Sequence, residues 1–119
     1  MTDVQILAID LAKRSFQVCA TAPGGAVLFN RTLSRAKLEM LLREQPPCIV
    51  AMEACATSHF WGRFAQSLGH EARLIPPIYV KPFVKRQKND AADAAAIAEA
   101  ALRPNLTPQI DEHRRDVVG

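Results

Sequence analysis

No apolar run in this chain approaches the roughly 20 residues that a membrane-spanning helix requires, so no membrane partner is expected. No signal peptide precedes the first apolar segment. The three cysteines, Cys19, Cys48 and Cys55, show no CxxC or other paired spacing. They supply no disulfide framework and point to a reducing, cytoplasmic compartment. Internal repeats and low-complexity tracts are absent. "PGG" at 23–25 is too short for a phosphate-binding loop and lacks the lysine that such a loop carries. None of Ser15, Ser34, Ser58 and Ser67 sits in a nucleophile-elbow context. Acids are missing from one long stretch. Between Glu71 and Asp90 there is none, while Arg73, Lys81, Lys85, Arg86 and Lys88 are all basic. Such a run is ordinarily a solvated face, and it is also the footprint expected of a nucleic-acid partner.

What is present fits one small folded domain: 119 residues with 49% hydrophobic content and a net charge of +3. "VQILAID" (4–10) is a continuous apolar run suited to a central strand buried on both faces. "SFQVCATA" (15–22) and "AVLFNRTL" (26–33), separated by the "PGG" turn, extend it into a meander of hairpins. Ser34 caps a helix running to about Glu44, with Leu38, Leu41 and Leu42 at helical spacing. "CIVAMEA" (48–54) is a buried strand. Thr57 or Ser58 caps a second helix that carries Phe60, Trp61, Phe64 and Leu68 and stops at Gly69. "EARLIPP" (71–77) is a fifth strand, followed by helical pieces at about 78–86 and 90–102. The order β-β-β-α-β-α-β-α predicts an α/β fold of the ribonuclease H-like type. It is a mixed five-stranded sheet of order 3-2-1-4-5 with helices on both faces.

In that order strands one and four are neighbours. Asp10 then ends the first and Glu53 the fourth, at the carboxyl ends where open α/β sheets place their sites. Each is an isolated acid in an apolar context, "LAIDLA" and "AMEACA". "KNDAADAAAIAEA" (88–100) adds two more. Asn89 is a good N-cap, and Asp90 in the first turn is what a helix dipole favours anyway. Asp93 is less ordinary. At about 100° per residue from Asp90, Asp93 falls near ~300°, Ile97 near ~340°, Ala101 near ~20° and Ala94 near ~40°, with Glu99 opposite at ~180°. Both aspartates therefore share the apolar stripe, where an unpaired ion costs several kcal/mol. Four carboxylates converging on one sheet edge predict a hard divalent cation, Mg²⁺ or Mn²⁺, in a two-metal site. The alanines at 91, 92, 94, 95, 96 and 98 allow the helix to approach the sheet closely.

The segments "AIDLAKRSFQVCA", "AMEACATSHFWGRFAQSLGH" and "KNDAADAAAIAEA" resemble the three signature segments of the DEDD-type insertion-sequence transposases. These are relatives of the Piv site-specific DNA invertase and carry a RuvC-like amino-terminal domain. The resemblance covers nearly all of residues 4–102. It implies that Asp10, Glu53, Asp90 and Asp93 are the catalytic, metal-binding tetrad. It implies a phosphate-contacting role for Lys13, and nucleic-acid contacts for Arg73, Lys81, Lys85, Arg86 and Lys88. "ACATS" departs from the glycine-containing turn usual after the glutamate. The resemblance also implies a second, carboxy-terminal domain with a serine nucleophile. Residues 1–102 are then the metal-binding domain, and 103–119 a linker toward that second domain. DNA, a guide noncoding RNA and a homo-oligomeric state are the implied partners of the full-length protein, in the cytoplasm of a prokaryotic cell and associated with its nucleoid.

Two other readings stay open. One is a stand-alone RuvC-like junction nuclease; the other is a non-catalytic module that holds nucleic acid. The related 3′–5′ exonucleases fit less well, because Asp10 is followed by Leu-Ala rather than by x-Glu. Cys55 and His59, four apart, read as a buried cysteine beside a surface histidine rather than as metal ligands. His70 and His113 have no evident partners. Phe60, Trp61 and Phe64 read as core residues rather than base-stacking ones.

Overall fold

The computed structural model describes residues 3–11, 15–81 and 90–102. The elements run β1 (Ile6–Asp10), β2 (Phe16–Thr21), β3 (Val27–Leu33), α1 (Arg35–Glu44), β4 (Ile49–Glu53), α2 (Ser58–Ser67), β5 (Glu71–Ile75), α3 (Pro77–Val80) and α4 (Asp90–Ala101). The strands form one sheet of order β3-β2-β1-β4-β5, as the sequence predicts. β1 pairs antiparallel with β2 and parallel with β4, and β4 pairs parallel with β5.

β1 is central because its residues are apolar on both sides of the pleat. Ile6, Leu7, Ala8 and Ile9 are all buried. Successive side chains point to opposite faces, and the two cores record this alternation. Ile6, Ala8, Cys19, Ala51 and Ile75 pack on one face with α4 residues Ala94, Ile97 and Ala101. Leu7, Ile9, Val18, Val50 and Met52 pack on the other with Leu38 and Leu42 of α1 and Trp61 of α2. Helices therefore cover both faces. The α4 face carries the smaller strand side chains and the opposite face the larger ones. Methyl groups on both sides of the α4 contact let that helix lie directly on β1 and β2.

Local chemistry fixes the ends of the helices. Ser34 caps α1 by accepting from the Lys37 amide. α2 ends with paired bonds, Gly69 N–H to the Gln66 carbonyl and His70 N–H to the Ala65 carbonyl, around Gly69 at φ +93°. Neither proposed cap of α2 works as expected. Thr57 makes no side-chain cap bond. The buried Ser58 hydroxyl instead accepts from the Cys55 amide and donates to the Cys55 carbonyl. α3 covers Pro77–Val80, at the start of the expected 78–86 helix; residues 82–89, Asn89 among them, and the tail from 103 lie outside the described residues.

Three readings of single residues need correction. Cys55 is exposed, because Ser58 rather than Cys55 takes the inward position in that turn. His59 is half-buried rather than on the surface, and its Nδ1 is buried without a hydrogen-bond partner. His70 is buried and fully partnered. The Cys48 amide donates to its Nδ1 at 3.2 Å, so Nε2 carries the proton and donates to the Leu42 carbonyl at 2.8 Å. Of the aromatic trio, Trp61 is 2% exposed and Phe60 46%. Phe16, Phe60 and Phe64 all meet the Trp61 ring edge-on.

Candidate functional site

Asp10 and Glu53 are the last residues of adjacent parallel strands. The β1–β4 register pairs Ile9 with Met52, so the next step brings Asp10 beside Glu53. Alternation assigns both to the face of Ala8 and Ala51, which is the α4 face. α4 begins at Asp90, and Asp93 lies half-buried in its first turn. Ala94, Ile97 and Ala101 are buried and Glu99 is exposed, as the helical stripe predicts. The side chain of Asp90 is outside the description.

The electrostatics bring two of these acids together. Burial at the end of β4 raises the proton affinity of the Glu53 carboxyl above the ordinary glutamate value, and the nearby charge of Asp93 adds to the rise. Repulsion between two such carboxylates is relieved either by a proton or by a cation. The donors are oxygens only, which suits Mg²⁺ or Mn²⁺ rather than a softer metal. Among the described residues, no three His, Cys, Asp or Glu side chains gather closely enough to hold an ion, so Asp10, Glu53 and Asp93 do not by themselves close a metal site.

The turn after Glu53 is fixed without glycine. The Ala54 amide donates to the Ile75 carbonyl, and Ser58 closes the turn on both polar groups of Cys55. Cys48 is no nucleophile: burial pushes its thiol up to about 11, although a hydrogen bond with the Leu7 backbone opposes the rise.

The basic candidates separate. Lys13, Lys85, Arg86 and Lys88 lie outside the described residues. Lys81 is exposed at the end of α3. Arg73 is occupied internally. Its Nε donates to Glu71 at 2.8 Å and its Nη1 to the Ala101 carbonyl at 2.8 Å, and its side chain is 15% exposed. It holds the far end of α4 on the sheet.

Sequence reasoning missed a group of polar residues beside the acids. Gln17, opposite Asp10 in the β1–β2 register, is buried and bonded to Asn30 and Thr32 of β3. Asn30 in turn bonds to α4. The available signal was their parity in the strands, which matches that of Asp10 and Cys19.

Residues 7–118 match the transposase family of the DEDD, IS110 type. A transposase for insertion sequence element IS1328 of Yersinia enterocolitica is 44% identical over 117 residues, covering 96% of this chain and 35% of the relative. A probable family 20 transposase of Pseudomonas aeruginosa is 49% identical over 100 residues, covering 84% and 30%. A transposase for insertion sequence element IS1111A of Coxiella burnetii is 41% identical over 106 residues, covering 89% and 29%. The chain thus spans about a third of the length of these relatives. With its sheet order, its strand-end acids and this match over nearly its whole length, the chain belongs to the DEDD transposase family of the IS110 type.

Proposed function

We propose that this chain is the metal-dependent catalytic domain of a DNA transposase. Asp10, Glu53, Asp90 and Asp93 are its cation ligands. The pairing of β1 with β4, which ends in Asp10 and Glu53 side by side on the α4 face, supports the reading, and the influence of the Asp93 charge on Glu53 adds to it. β1 and β4 end in Asp10 and Glu53, and Asp90 and Asp93 belong to the first turn of α4. Bound there, a pair of Mg²⁺ or Mn²⁺ ions would activate an oxygen nucleophile and steady the leaving oxygen of a phosphodiester.

Lys81, Lys85, Arg86 and Lys88, with Lys13, are the residues proposed to grip the nucleic-acid backbone, where contacts position the strand without reading its sequence. Arg73 serves α4 packing instead. In the full-length protein the domain acts on DNA together with further domains, with a guide noncoding RNA and as an oligomer.

The test is recombination of a plasmid-borne element by the full-length protein. Asp10→Asn and Asp93→Asn should each abolish it; wild-type activity in both variants would sink the assignment. Metal-dependent cleavage of branched DNA by residues 1–119 alone would favour a junction nuclease instead. Retained nucleic-acid binding without Mn²⁺ binding would favour a non-catalytic module.

A further inference from the structure

On the α4 face of the sheet, three polar side chains from β2 and β3 form a directed chain. The Thr32 hydroxyl donates to Gln17 Oε1 at 2.6 Å. Gln17 Nε2 donates to Asn30 Oδ1 at 2.8 Å, and Asn30 Nδ2 donates to the Ala91 carbonyl at 2.9 Å. The direction is set at the far end. A backbone carbonyl only accepts, so Asn30 must present its amide nitrogen to Ala91 and its oxygen to Gln17. Gln17 is 6% exposed, so this order is enforced where an unpaired amide is costly.

The place of the last bond matters. Ala91 lies between Asp90 and Asp93 in the first turn of α4. An alanine-rich helix has few large side chains to lock its rotation or its height against small partners such as Ala8, Cys19 and Ala51. Apolar contact holds such a helix down but resists sliding weakly. Among the described residues, polar bonds from Asn30 to Ala91 and from Arg73 to Ala101 add register at the two ends of the helix.

We propose that Asn30, oriented by Gln17 and Thr32, is the positioning residue that sets the first turn of α4, and so the approach of Asp93 to Glu53. The inference rests on reading those carboxylates as the cation site. Asn30 itself does not touch the cation in this scheme.

Calorimetric Mn²⁺ titration of the full-length protein, with a thermal melt of each variant, tests it. Asn30→Asp keeps the size of the side chain but sets an acceptor against the Ala91 carbonyl. Added negative charge alone would tighten Mn²⁺ binding, whereas loss of positioning weakens it, by roughly tenfold or more as is typical when a ligand loses its supporting hydrogen bond. Thr32→Val should weaken binding by a smaller factor, and Thr32→Ser, which keeps the hydroxyl, should restore it. Equal or tighter binding by Asn30→Asp overturns the inference while the metal site stands. Should Asn30→Asp fail to fold, the Thr32 pair decides, and equal affinities in Val and Ser variants overturn it. Absence of Mn²⁺ binding by the wild type overturns the metal reading itself, and the inference with it.

Discussion

Glu53 at the carboxyl end of β4 and Asp93 in the first turn of α4, far apart in the chain, interact electrostatically: burial raises the proton affinity of Glu53, and the charge of Asp93 adds to the rise. The folded protein thus binds a proton at Glu53 more tightly than the unfolded chain does. From the ordinary glutamate range near about pH 4.3 up to the raised folded value, stability must fall as pH rises, because the folded state is the one that binds more protons. Glu53→Gln removes this loss. In metal-free buffer its melting temperature should gain on the wild type as pH increases through that window and then level off. Parallel curves for the two proteins would refute the coupling.

His70 joins three segments, since its ring bonds the Leu42 carbonyl in α1 and the Cys48 amide just before β4 from a position at the start of β5. His70→Ala leaves both groups without their partner. A loss of about 1–3 kcal/mol for each is expected in urea unfolding. A change within a few tenths of a kcal/mol would mean that water replaces the ring at both positions.

Ala51 is fully buried beneath α4. Ala51→Val adds volume to this packed face, and overpacking of this kind costs about 1–3 kcal/mol. Amide hydrogen exchange in α4 should accelerate more than in α1 or α2. Uniform acceleration would show that the strain spreads through the sheet rather than lifting α4.

Gly69 occupies φ +93°, and an added Cβ would meet only Pro47 Cγ at 3.8 Å, an ordinary contact. Space is therefore not the constraint. Gly69→Ala should still cost about 1–2 kcal/mol through the left-handed backbone alone. A thermal melt matching the wild type would show that the turn relaxes to another conformation.

The sheet order was legible because each buried strand reads as a continuous apolar run and each ends in a recognisable stop. Asp10 and Glu53 stood out for the same reason, as charges at the ends of such runs. Asp93 was legible from its helical angle relative to Ile97 and Glu99. Gln17, Asn30 and Thr32 were not, because polar residues in a strand look like a solvent-facing row until α4 is placed above them. His70 escaped because its partners lie in other segments, and Cys55 because sequence alone does not say whether Cys55 or Ser58 turns inward.

The chain has a single tryptophan and a single tyrosine. Trp61 belongs to the core beneath α1 and α2, while Tyr79 packs against the core beneath α4. Each side of the sheet thus carries its own optical reporter. Tryptophan emission follows melting of the α1–α2 side, and tyrosine absorbance follows events on the side where the acids lie. A cation that seats α4 more firmly without altering the rest of the domain would move the second signal and leave the first in place.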